Sequence, residues 1–334
     1  MSDAAFVAGD WGTSHLRLFL CDDVGHILER AAGPGAADAG GRFATVLTSL
    51  LAPWQHRHGP LPAVLCGMVG SSIGWLQAPY VRCPARPDQI ASGCVSPREG
   101  VQVVPGLSCR NRFNAPDFMR GEETQILGAL SIDPALRRGR RLLCLPGTHT
   151  KWALLADGVV DEFLTAPTGE LFALLLDHSV LLRGNAAGDA ADAVAAHAAA
   201  PDAAAVDAAA FRQGVAQFGE YPQAQLLHRL FECRARRLDG ELGAQASAAF
   251  LSGLLVASDI SGALRLLAGK IDERSVHLIG SPQLTQRYAI GLAVLDCAAT
   301  SIDGEAAALA GLVLLHRQLS LRRRALRQVA DAGG

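Results

Sequence analysis

The chain contains no CxxC pair, no GKT or GKS, no excess of one charge sign and no basic, apolar leader at its start. Each absence removes a class of function. Eight cysteines stand apart at 21, 66, 83, 94, 109, 144, 233 and 297, a scatter that matches no zinc spacing and suits a reduced compartment. Thirty Lys and Arg against 32 Asp and Glu leave a net charge of -2, so there is no electrostatic footprint for nucleic acid. The basic tail RQLSLRRRALRQ reads as a solvated helix end. Continuous apolar runs such as Ala306 to Leu315 fall short of the ~20 residues of a membrane helix. The opening MSDAAFVAGD has neither the basic nor the apolar part of a signal peptide. The expected setting is the cytoplasm, with no membrane and no nucleic acid as partner.

At 334 residues, half apolar and 19% charged, the sequence is that of a globular protein long enough for two domains with a core each. Its first stretch of character is FVAGDWGTSHLRLFL, Phe6 to Leu20. A buried strand meets a turn of small hydrogen-bonding residues, and a second strand alternates Leu16, Leu18 and Leu20 with Arg17 and Phe19. A strand, a Gly-Thr turn, a strand, a second turn and a third strand recur in RLLCLPGTHTKWALLADGVVDEFLTAP, with Gly12-Thr13 and Gly147-Thr148 lying 135 residues apart. Self-similarity at that distance suggests two related lobes. Helical spacing follows at about 41–58, from Glu122 to Leu130, Glu170 to Leu182, Phe211 to Leu238, Ala244 to Leu267, from about Leu284, and from Gly304 to about Val329. The alanine-rich stretch 186–210 reads as helix and loop without a function.

A polyphosphate needs several convergent donors and no side-chain bulk. Gly9 and Gly12 let the backbone approach, while Thr13, Ser14 and main-chain N–H groups can donate. Asp10 could hold Mg²⁺ through water; a hairpin with an incidental acid remains the alternative. The second turn supplies Gly147, Thr148 and Lys151, the last a cation for phosphate charge.

These hairpins resemble the two phosphate loops of the actin-like sugar kinase and Hsp70 superfamily. VHLIGSPQLTQRY, from Val276, is similar to its adenosine motif, which implies that Gly280 and Ser281 lie against the nucleoside. SIDGEAAALAGLVLL, from Ser301, resembles its final helix, where Ala and Gly permit close packing. FMRGEETQILGAL occupies the place where such kinases carry the acid that accepts the hydroxyl proton, which makes Glu122 or Glu123 the candidate base; helix capping is the competing role.

Taken in order, CGMVGSSIGW (66–75), MRGEETQ (119–125), PGTHTKW (146–152), TGEL (168–171) and FLSGLL (250–255) resemble the 2-dehydro-3-deoxygalactonokinase family from residue 6 to about 315. That resemblance implies an α/β protein with two facing lobes of the actin-like ATPase (ribonuclease H-like) fold, each with a mixed sheet flanked by helices. The lobes would span 1–125 and 126–315, with a basic end at 316–334. It implies ATP-dependent phosphorylation of the 6-hydroxyl of 2-dehydro-3-deoxy-D-galactonate, with ATP and Mg²⁺ as cofactors. The sugar acid would meet Arg120 and a loop of Gly70, Ser71 and Ser72; Thr168 and Glu170 could bind it or equally cap a helix. Arg is the natural partner for its carboxylate, with Arg120 and Arg17 as candidates and Arg17 expected to be structural, pointing away from the cleft or pairing locally. Leu145 and Pro146 stand where many superfamily members carry an Asp, so Asp10 is the clear loop acid. The C4-epimeric gluconate acceptor, a phosphatase or ATPase of the same fold, and a sugar sensor stay open. The sequence also leaves the oligomeric state open, a homodimer included.

Overall fold

The computed structural model describes residues 3–182, 208–220 and 225–332, so the alanine-rich stretch lies outside them as far as residue 207. The chain forms two compact units that are discontinuous in sequence. Unit 1 comprises residues 1–140, 153–163 and 302–334, and unit 2 comprises 141–152 and 164–301.

Unit 1 begins with β1 (Phe6–Trp11), β2 (His15–Cys21) and β3 (Ile27–Pro34). On β2 the alternation places Leu16, Leu18 and Leu20 in the core while His15 and Arg17 face outward. Strand β4 (Ala63–Gly67) is buried at all five positions, as a central parallel strand should be. With β6 (Val95–Arg98) and β7 (Val101–Val103) the sheet has the order β3-β2-β1-β4-β7-β6. Its first three strands are antiparallel, and β4 runs parallel to both β1 and β7. Helix α1 (Phe43–His58) packs Phe43, Leu47, Leu51 and Trp54 into the same core, one face of a 3.6-residue period. A smaller sheet, β5-β8-β9, joins β5 (Tyr80–Arg82), β8 (Gly106–Arg110) and β9 (Pro116–Met119). Sequence patterning did not separate these short, Pro- and Gly-flanked strands from loop.

The second sheet has the order β12-β11-β10-β13-β14, from β10 (Arg140–Leu145), β11 (Thr150–Ala156), β12 (Val159–Ala166), β13 (Ser275–Gly280) and β14 (Ala298–Asp303). Strand β10 is parallel to β13, as β1 is to β4. The first five strands of the first sheet therefore recur in the same spatial order. The turn from β11 to β12 is set by Asp157 (φ 51) and Gly158 (φ 77), the pair of positive φ values that a tight hairpin requires. This duplicated ribonuclease H-like sheet is the actin-like α/β fold that the resemblance implied.

In each unit two helices cross at very short range. In unit 1, α2 (Glu122–Ile132) meets α7 (Gly304–Ala332). A Cβ on Gly128 would fall 1.7 Å from the Ala307 carbonyl oxygen, and one on Gly311 2.0 Å from that of Thr124. In unit 2, α4 (Ala208–Glu220) crosses α5 (Ala244–Leu267) through Gly214 and Gly253 in the same manner. Around that crossing lies the second core, with Phe211, Phe218, Phe250 and Trp152.

Two expectations are corrected. The helix expected over Phe211 to Leu238 is broken into α4, Leu226–Arg229 and Glu232–Leu238. Apolar length was also underestimated: α5 is long and apolar enough to cross a membrane, because Ser, Gly and a single Asp interrupt its runs without lowering the average much. Most of that stretch (61%) is buried inside the protein, as in a core helix.

Candidate active site

The first hairpin is held from beneath. Gly12 N–H donates to the His15 carbonyl at 2.9 Å, and the Gly12 and Thr13 carbonyls accept from Ala36 and Ala37 N–H. Gly35 permits this, since a Cβ there would sit 2.2 Å from the Thr13 oxygen. The outer side is open: a Cβ on Gly12 would meet only the His15 oxygen at 3.4 Å, and Thr13 and Ser14 are exposed. Asp10, at the end of β1, accepts from Arg17 Nη2 at 2.6 Å, so Arg17 does pair locally. Arg17 also lies 3.5 Å from Glu305 in the first turn of α7, and Glu305 pairs with Arg30 as well.

Beyond Asp10 stands the start of α2, where the two candidate bases differ sharply. Glu122 is partly exposed, and its Oε2 accepts the Arg120 backbone N–H at 3.0 Å. Glu123 is fully buried and accepts from Gly121 N–H at 2.6 Å and from the Thr124 hydroxyl at 3.0 Å. Burial, and then the negative charge of Glu122, push the Glu123 carboxyl up to about 8. The Cys66 thiol lies 3.9 Å from Asp10, and burial with the charges of Asp10 and Glu123 raises it well above its ordinary range. It is a neutral neighbour, not a nucleophile.

The CGMVG loop turns at the end of β4. Gly70 is buried, and the Ser71 hydroxyl donates to the Met68 carbonyl at 2.7 Å, while Ser72 is exposed. Arg120 extends its Nη2 to the Ala78 carbonyl at 2.8 Å and lays its guanidinium over the Tyr80 ring at 4.4 Å. Trp75 packs against the unit 1 core.

The second hairpin, in unit 2, repeats the support of the first. Glu170 N–H donates to the Thr148 carbonyl at 3.0 Å, and a Cβ on Gly169 would lie 2.5 Å from the Gly147 oxygen. Gly35 and Gly169 thus back the two hairpins in the same way, Gly35 just before a helical turn and Gly169 within the first turn of the helix Thr168–His178, a role that sequence reading missed. Gly147 is open on its outer side and Thr148 is exposed. His149 and Glu170, both about half exposed, pair at 2.6 Å. Lys151 is turned inward: its side chain is 6% exposed and donates to Thr165 Oγ1 at 2.8 Å. The Thr168 hydroxyl is likewise engaged, donating to Asp259 at 2.7 Å.

Asp259, in α5, is the hub that sequence reading missed. It accepts from Trp152 Nε1 at 2.7 Å and Tyr288 Oη at 2.5 Å besides Thr168, and Tyr288 is itself 2.9 Å from Thr150. Burial raises the Asp259 carboxyl, against the lowering by these donors. One buried acid thus ties β11, the start of α3 (Thr168–His178), α5 and α6 (Pro282–Val294) beneath the hairpin. A single acid within an apolar helix gave no periodic signal. Gly280 ends β13, and Ser281 caps α6 by accepting from Leu284 N–H. Among the described residues no group of three or more His, Cys, Asp or Glu side chains forms a metal cage.

Residues 10–315 match the protein-family model described as 2-keto-3-deoxy-galactonokinase. A relative named "Probable 2-dehydro-3-deoxygalactonokinase DgoK1", from Rhizobium meliloti (strain 1021), is 36% identical over 92% of this chain and 95% of its own. The 2-dehydro-3-deoxygalactonokinase of Escherichia coli (strain K12) is 32% identical over 92% of this chain and 96% of its own. A crystal structure described as "a putative 2-dehydro-3-deoxygalactonokinase protein from Sinorhizobium meliloti" superimposes with a TM-score of 0.80 at 35% identity, covering 93% of this chain and 98% of that one.

Proposed function

Because the chain belongs to the 2-keto-3-deoxy-galactonokinase family, we propose that it transfers the terminal phosphoryl group of ATP to the 6-hydroxyl of 2-dehydro-3-deoxy-D-galactonate, a step of D-galactonate breakdown in the cytoplasm. The geometric observation that carries this reading is the inequality of the two glutamates at the start of α2. A general base must reach its proton and be ionised near neutrality. Glu122 is partly exposed, whereas Glu123 is sealed and pushed up to about 8. Glu122 is therefore assigned as the acceptor of the hydroxyl proton, and Glu123 as the group that closes the Gly121 turn and aims it.

Phosphate oxygens are assigned to Gly12, Thr13 and Ser14 and to Gly147 and Thr148, whose turns are free of bulk on the outer side. Lys151, buried on Thr165, adds positive charge beneath its hairpin, not a direct contact. Gly280 and Ser281 are assigned to the nucleoside. Asp10 fits Mg²⁺, since that ion is usually held by one or two carboxylates together with waters and phosphate oxygens, not by an all-protein cage. When bound, Mg²⁺ would neutralise charge on the phosphates. Ser72 and Glu170 remain the assignments for sugar hydroxyls.

The test is ADP release from Mg-ATP by the purified protein with 2-dehydro-3-deoxy-D-galactonate, with its C4-epimeric gluconate, or with no sugar. Turnover with the galactonate form well above its epimer supports the reading. Equal rates make it a relaxed keto-acid kinase, ADP release without sugar an ATPase, and silence in all three a sensor.

A further inference from the structure

Arg120 is held on two sides. Its Nη2 is anchored on the Ala78 carbonyl, and its plane lies 4.4 Å from the centre of the Tyr80 ring. Its Nη1 sits 2.8 Å from where a Cβ on Gly70 would be, so any other residue at 70 would push the guanidinium away. The Tyr80 ring is fixed in turn. Phe118 meets it edge-on at 4.9 Å, and Gly106 opposite leaves room for it, since a Cβ there would come within 2.6 Å of the ring. Yet Nε and Nη1 of Arg120, both buried, have no hydrogen-bond partner among the described residues.

A buried guanidinium that is anchored by one nitrogen and left unpaired at two others is energetically unfavourable until an acceptor arrives. The acceptor best suited is a planar anion, because guanidinium donors match a carboxylate in shape and charge. A stacking aromatic is also a sound support, as it holds the flat cation without competing for its N–H groups. Arg120 further lies two residues from Glu122, whose carboxylate accepts its backbone N–H. A ligand gripped by Arg120 is thereby placed next to the proposed base.

We propose that Arg120 is the receptor for the substrate's carboxylate and that Tyr80 is its positioning residue, so that the small β5-β8-β9 sheet makes this kinase selective for keto acids over neutral sugars. This rests on the acceptor class proposed above and adds the group that reads it. Gly70 then serves by leaving space for the guanidinium, not by binding sugar itself.

The experiment compares 2-dehydro-3-deoxy-D-galactonate with its C1 carboxamide, which has the same shape without the charge. The wild-type protein should favour the acid about a hundredfold in kcat/KM, the difference expected when a charge-assisted contact is lost. In Arg120→Gln that preference should collapse to about threefold or less, through loss of activity on the acid alone. Tyr80→Leu should raise KM for the acid roughly tenfold while KM for ATP stays within about twofold, and Tyr80→Phe, which keeps the ring face, should restore it. Equal loss on acid and carboxamide in Arg120→Gln overturns the proposal, and so does a Tyr80→Phe protein as impaired as Tyr80→Leu. If Arg120→Gln does not fold, the Tyr80 pair, on a partly exposed face, decides alone. If the wild-type protein phosphorylates neither compound, the activity reading has failed. Calorimetric binding of the acid over the carboxamide by that protein would still uphold the carboxylate receptor, and equal binding would reject it.

Discussion

Asp259 and Trp152, 107 positions apart in sequence, are joined at 2.7 Å by a buried indole-to-carboxylate hydrogen bond. The same carboxylate accepts from Thr168 and Tyr288, so three donors around the second hairpin depend on one side chain. Asp259→Ala removes the acceptor that all three share and should lower the unfolding free energy by about 3 kcal/mol or more. Tyr288→Phe, which removes one donor, should lower it by about 1 kcal/mol. Urea unfolding of both variants checks this; equal effects would mean that the carboxylate is not the hub.

Glu122 and Glu123 should separate on substitution. Glu122→Gln is expected to lower kcat by about 10²–10⁴-fold with ATP binding intact, the usual contribution of a general base. Glu123→Gln, which preserves the acceptor for Gly121 N–H, should cost far less. Steady-state kinetics with nucleotide calorimetry would show this, and a greater loss in Glu123→Gln would reverse the assignment.

Glu123 also makes stability depend on pH in a definite direction. Its folded value of about 8 stands above the ordinary 4.5, so the folded state holds the proton more tightly than the unfolded one. The stability associated with the neutral carboxyl is complete below pH 4.5 and is lost as pH rises towards 8. Glu123→Gln removes this loss. Melting curves should show the variant gaining on the wild-type protein between pH 5 and pH 8.5, and a constant difference across that range would contradict the burial argument.

The glycines behind the hairpins give a steric test. Gly35→Ala and Gly169→Ala place a methyl group 2.2 and 2.5 Å from backbone oxygens of their hairpins. Each should weaken ATP binding by about tenfold through displaced donors, comparable with the loss of a charge-assisted hydrogen bond or two. Gly243→Ala, with nothing within 4 Å of its Cβ, should bind ATP as the wild-type protein does. Calorimetry on the three variants decides.

Asp10→Asn should raise the Mg²⁺ concentration for half-maximal activity by about tenfold or more, because a neutral amide is a weaker partner for a hard cation. The variant also loses its charge-assisted bond to Arg17, so a Mg²⁺ titration of Arg17→Gln is the control. A shift of the same size and direction in that control would assign the effect to hairpin geometry.

The sequence by itself determined the repeated strand–turn–strand units, their Gly-Thr turns and the helices read at about 41–58, from Glu122 to Leu130 and from Ala244 to Leu267. Each is a local matter of side-chain period, glycine position and buried apolar runs, and a duplication writes the same local rules twice. Close packing at Gly311 was legible for the same reason, since only small residues allow it. What only the tertiary structure decided is which polar groups are left able to act. Nothing in GEET distinguishes Glu122 from Glu123 until folding buries one of them. Lys151 and Thr168 are engaged by Thr165 and Asp259, and Arg120 takes its setting from Ala78, Gly70 and Tyr80, about 40 to 50 residues away in sequence. Burial and long-range pairing set the charge and reach of a side chain, and neither is a property of its neighbours along the chain.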